Sequence, residues 1–116
     1  MKHEFDLITI VETKIFYKES RKVLTEDQAE EMKGYLAVNP TAGDLIPGLR
    51  GLRKLRWTAN QKGKSGGLRV IYFFYNKDMP LFLLDIYTKT TQADLTPQEK
   101  GLLNKLIDDL INQYGE

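Results

Sequence analysis

The stretch LRVIYFFY (68–75) constrains this chain more than any other, because Arg69 alone interrupts an otherwise apolar run. Successive residues of a strand face opposite sides of a sheet, so a strand with no polar side is a central one, covered on both faces. Turn-forming segments bound it, NQKGKS before and NKDMP after. Strands at about 52–59, 66–75 and 81–88 follow from this pattern, joined as hairpins.

Upstream, LITIV (7–11) is β-branched and short, as a strand should be. A charged helix is expected from Glu12 to about Leu24. Thr25 with Gln28 forms a capping-box signature, which opens a second helix through Ala29, Met32, Tyr35 and Leu36 until Asn39-Pro40 stops it. TAGDLIPGLRG (41–51) has three Gly and one Pro and reads as a loop. The last helix has Thr96 as N-cap, Pro97 at its first position and Glu99 two further on. Leu102, Leu103, Leu106, Ile107, Leu110 and Ile111 follow at helical spacing. At 116 residues and 41% apolar content, the expectation is one small α+β domain over 1–116. Its sheet should be mainly antiparallel, with two N-terminal helices and a C-terminal helix in the order βααβββα.

The formal net charge of +1 hides an uneven distribution. Residues 45–77 hold Arg50, Arg53, Lys54, Arg56, Lys62, Lys64, Arg69 and Lys77 and no acid, which leaves nine of the 17 bases and all 16 acids elsewhere. A +8 segment in a −7 surround favours an anionic ligand at one place.

Several chemistries are excluded. There is no Cys, and the one histidine is His3, so His-based triads and Cys/His metal sites lack their residues. GKS (63–65) suggests a phosphate loop, but that motif needs a glycine where Thr58 stands and a helix where an apolar strand follows. Asp108 and Asp109 are adjacent on a helix and do not share a face. No metal and no cofactor are expected. The N-terminal residues do not resemble a signal peptide, and no segment reaches the roughly 20 apolar residues of a membrane helix, so a cytoplasmic protein without a membrane partner is expected.

Strand alternation puts Leu55 and Trp57 on the core side with Arg53, leaving Lys54 and Arg56 on the other. If Ala59 faces Gly66 across the first hairpin, Arg56 falls opposite Arg69. If Tyr75 faces Leu81 across the second, Arg69 falls opposite Tyr87. Lys54, Arg56, Arg69, Tyr87 and Lys89 then converge on one face, while Arg53, Lys62 and Lys64 extend the basic surface as RNA-binding candidates. Cations plus a phenol suit RNA cleavage by its own 2′-hydroxyl, which needs charge stabilisation rather than an external nucleophile. Arg56 and Arg69 would hold the scissile phosphate. Lys54, Lys89 or Tyr87 would move protons; Lys and Tyr ordinarily titrate near 10, and neighbouring cations lower both values.

The runs GLRKLRW (51–57), KGKSGG (62–67), LRVIYFFY (68–75), LLDIYTK (83–89) and ADLT (93–96) together resemble the RelE/HigB superfamily of bacterial toxins, most closely its HigB-like branch. The upstream helices and NPTAGDLIPG (39–48) match that branch too. The resemblance implies ribosome-dependent cleavage of mRNA and neutralisation by a cognate antitoxin. It carries the family's basic pair to Lys54 and Arg56, its phosphate-contacting arginine to Arg69, and a lysine after the last strand to Lys89. Thr90 stands where relatives often have Arg or His, and Thr96 roughly where some carry a catalytic Tyr, so Tyr87 is a substitute rather than a match. The alternative from the same residues is a non-catalytic module that binds RNA or the ribosome through this face.

Overall fold

The apolar run holds the middle of a five-stranded sheet. The structure, a computed structural model, describes residues 7–58, 67–88 and 95–114. In chain order, β1 (Ile10–Glu12) leads to α1 (Lys14–Val23) and α2 (Glu26–Val38). Strands β2 (Asp44–Leu45), β3 (Leu52–Trp57), β4 (Leu68–Phe73) and β5 (Leu81–Thr88) follow, then α3 (Pro97–Tyr114). The strand order is β1-β5-β4-β3-β2, with β4 central, as its lack of a polar side requires. Three pairings are antiparallel and β1 joins β5 in parallel.

This is the expected α+β class, with differences of detail at the ends of elements and in one added strand. The segment read as a loop contains β2, which pairs Asp44 with Lys54 and Leu45 with Arg53. The first strand spans 10–12 rather than 7–11. Its end is set by Thr13, whose hydroxyl accepts from Phe16 N (3.2 Å) to cap α1 and donates to Leu83 O (3.0 Å) on β5. Both other helix starts form as read. Gln28 N donates to Thr25 Oγ1 and Thr25 N to Gln28 Oε1 (3.1 and 2.9 Å). Glu99 N and Thr96 N make the same reciprocal pair at the start of α3 (3.1 and 2.9 Å).

Alternation along β4 divides the interior into two layers. Val70 and Tyr72 face Phe16 of α1 and Met32 and Leu36 of α2, together with Leu55, Leu83 and Ile86. Ile71 and Phe73 face Ile107 and Leu110 of α3, together with Leu52, Phe82 and Leu84. Fully burying side chains of this size contributes about 1.5–3 kcal/mol each, so both helical layers are needed to hold the sheet.

Residues 40–52 are fixed by close contacts. Tyr72 Oη donates to Pro40 O and accepts from Gly43 N, each at 2.8 Å. A side chain at Gly43 would lie 2.9 Å from the Tyr72 ring and 3.0 Å from Lys54 O, so only glycine fits there. Gly51 takes φ +73° to turn the chain into β3. Ile46 and Leu49 enter the α3-side core. Arg50 Nη2 then pairs with Asp108 Oδ1, tying this segment to α3.

Candidate functional site

On the α3 side of the sheet, side chains from β3, β4 and β5 fall in rows. Leu52, Phe73 and Phe82 form one row, and Lys54, Ile71 and Asp85 the next. The third consists of Arg56, Arg69 and Tyr87. The face thus passes within two residue steps from apolar core to cations.

The pairings of Arg56 with Arg69 and of Arg69 with Tyr87 are those expected, although the second arises differently. β4 ends at Phe73, so Tyr75 does not face Leu81. Nearest that turn the partners are Phe73 with Phe82 and Tyr72 with Leu83. A register shift between Ile71 and Tyr72 then brings Arg69 opposite Tyr87. Such an irregularity inserts a residue into one strand and re-aims the side chains beyond it.

Arg56 is exposed, Lys54 and Arg69 are half-buried, and Tyr87 is 7% exposed with its hydroxyl oxygen enclosed. Residues directly opposite in an antiparallel pair lie about 4.5–5.5 Å apart at Cα, where like charges oppose pairing by about 0.2–1 kcal/mol. Arg69 adds a second unfavourable term: its Nη1 is buried and has no hydrogen-bond partner among the described residues. A buried donor left unsatisfied costs about 1–3 kcal/mol, more when charged. An anionic oxygen seated between Arg56 and Arg69 would relieve both terms.

Among the described residues, Asp85 stands on this face one row away. Its Oδ1 accepts from Ile86 N (2.8 Å). Burial raises its carboxyl above the usual range; the Ile86 N–H opposes this, and the charges of Glu19 and Glu99 add to it.

The other sequence candidates separate. Arg53 lies on the opposite face, where Nη1 donates to Gly43 O (2.7 Å) and Thr41 O (3.2 Å), so its guanidinium braces the turn before β2. Arg50 is paired with Asp108, a carboxylate 58 residues away in the chain, so part of the +8 segment is neutralised by α3. Lys77 is exposed in the turn at the far end of β4 from Arg69. Lys62, Lys64, Lys89 and Thr90 lie outside the described residues. Thr96 is the cap of α3, a structural role.

Beside this face lies a groove that the sequence pattern does not reveal. Tyr35, read from the sequence only as part of the second helix, is 42% exposed, because Met32 and Leu36, one turn apart, take the buried positions. Its ring meets Trp57 at 5.4 Å between centroids. Trp57, expected in the core, sits at the rim of the α1/α2-side cluster. An aromatic three residues from Met32 and next to Leu36 was the available signal that α2 presents a ring at the edge of its buried stripe.

No protein-family model matches the chain. No helix among the described residues is long and apolar enough to cross a membrane.

Proposed function

We propose that this protein is a ribosome-dependent endoribonuclease of the RelE/HigB type, a toxin that cleaves mRNA and is neutralised by a cognate antitoxin. The observation carrying this reading is the Arg56–Arg69–Tyr87 row, with two arginines opposite each other and a buried guanidinium nitrogen that has no hydrogen-bond partner among the described residues. A phosphodiester, whose non-bridging oxygens can accept from both, suits a pair of planar guanidinium forks.

In this reading the RNA's own 2′-hydroxyl gives up its proton and attacks the adjacent phosphorus. The 5′-oxygen leaves and takes up a proton, giving a 2′,3′-cyclic phosphate. Arg56 and Arg69 stabilise the charge that builds on the phosphorane, the term on which such sites chiefly depend. Of the described proton carriers, Lys54 is better placed than Tyr87, whose enclosed hydroxyl is reached by substrate only if the face opens. Lys89 is the other candidate. The reaction uses no metal or cofactor.

The test is cleavage of ribosome-bound mRNA by the wild-type protein beside Arg69→Ala and Arg56→Ala. Each substitution should reduce cleavage by about 100- to 1,000-fold, the loss seen when one charge-stabilising group is removed, with the circular dichroism spectrum unchanged. Undiminished cleavage by both variants would place the site elsewhere. The enclosed Tyr87 hydroxyl favours one other reading, a module that binds ribosomal RNA through the same face without cutting. Salt-sensitive ribosome binding with intact mRNA would establish it.

A further inference from the structure

Beyond Lys54 and Arg53, strand β3 has no further pairing with β2: the two-residue β2 stops there, while β3 continues to Trp57. At this end of the sheet a groove of about 390 Å³ is lined by Glu31, Tyr35, Leu55, Arg56 and Trp57. Arg56 thus borders two surfaces, the basic row on one face of the sheet and an aromatic groove that opens toward α2.

The groove has the composition of a base-binding subsite. Its rings are paired but not sealed: Tyr35, the outer one, is 42% exposed, and Trp57 backs it at 5.4 Å and 50°. An exposed ring with a guanidinium alongside is the arrangement on which single-stranded bases stack while the backbone follows the cation. Glu31, one helical turn before Tyr35 on α2, puts a carboxylate on the same groove. It repels phosphate, so the backbone is left to Arg56, and it accepts hydrogen bonds from an exocyclic amino group such as N4 of cytosine.

We propose that this groove binds one unpaired nucleobase of the RNA whose phosphate lies on Arg56 and Arg69, stacking it on Tyr35 and favouring cytosine over uracil through Glu31. The proposal rests on the ribonuclease reading for its ligand, and it adds a stacking subsite outside the Arg56–Arg69–Tyr87 row.

Trp57 is the sole tryptophan of the chain and lines the groove, so its fluorescence reports on binding there. The experiment titrates the full chain with a 2′-O-methyl oligocytidine, which lacks the attacking hydroxyl and stays intact. Matching titrations use the oligouridine and inorganic tripolyphosphate, which carries charge without bases. Oligocytidine should quench Trp57, whereas tripolyphosphate should compete for binding without quenching. Tyr35→Leu should weaken oligocytidine binding by about 5- to 150-fold, the range for loss of one stacked base, and leave tripolyphosphate binding unchanged. Tyr35→Phe, which keeps the ring, should restore wild-type behaviour, and Glu31→Gln should narrow the preference for cytosine over uracil. Oligocytidine binding that leaves Trp57 unquenched and is indifferent to Tyr35→Leu would overturn the subsite, yet leave ribosomal cleavage standing. Absence of binding by either anion, together with absence of cleavage on the ribosome, would overturn both readings.

Discussion

Asp85 shows how a single side chain limits the sheet's stability. It is half-buried one row from the arginines, and burial, joined by Glu19 and Glu99, raises its carboxyl above the ordinary range despite the opposing Ile86 N–H. As pH rises from about 3.9, the ordinary value, the unfolded chain releases this proton first. The folded chain then holds more protons, and stability falls with pH until the folded group has also ionised. Asp85→Asn keeps an acceptor for Ile86 N and removes the charge. This variant should have a higher urea midpoint than wild type at pH 7, with the gain shrinking towards pH 4. An equal or growing gain at the lower pH would mean that the carboxylate is not held at a disadvantage. Arg69 belongs to the same kind of residue, kept although the fold alone would do better without its charge.

At the scale of elements, the segment that positions β3 depends on one phenol. Tyr72 bonds both Pro40 O and Gly43 N, and burial, the largest influence on its hydroxyl, raises the pKa. Tyr72→Phe leaves a buried amide and a carbonyl without that partner, which should lower stability by about 1–3 kcal/mol in denaturant titration. A loss below 0.5 kcal/mol would show that Arg53, bonded to Gly43 O, holds the turn by itself. The ends of elements were legible in the sequence wherever the chemistry is local. Capping boxes at Thr25 and Thr96 involve residues three apart, and both form. The third long strand spans Leu81–Thr88, as its pattern indicated. What could not be read depends on contacts distant in sequence. β2 is two residues long and exists through its pairing with β3. The shift at Ile71/Tyr72 depends on how β4 meets β5. Arg53 reads as a surface cation until the 41–43 turn folds over it. The pairing of Arg56 with Arg69 was legible because strand alternation fixes faces, whereas Tyr87 joins that row only through the shift. The groove of Tyr35 and Trp57 was not, because it joins a helix to a strand edge.

Over the whole molecule, the same sheet is apolar toward the middle and cationic at one corner, and these ends have opposite consequences. The helical layers supply the burial that holds the sheet, and Arg50 with Asp108 adds a tie between the basic segment and α3. The corner opposes this through facing arginines and a buried nitrogen without a hydrogen-bond partner among the described residues. Anything anionic that binds there only in the folded state must therefore stabilise the entire chain. Tripolyphosphate at ten times its Kd should add about 1.4 kcal/mol by mass action, roughly 5 °C in Tm for a domain of this size. The Arg56→Ala/Arg69→Ala double variant should melt higher than wild type without the anion, because both unfavourable terms are gone, and should respond little to its addition. Multivalent anions also act by exclusion from protein surfaces in general, and an equal rise in both proteins would assign the whole effect to that cause. A rise confined to wild type would mean that the corner's instability is relieved by the class of ligand it is proposed to bind.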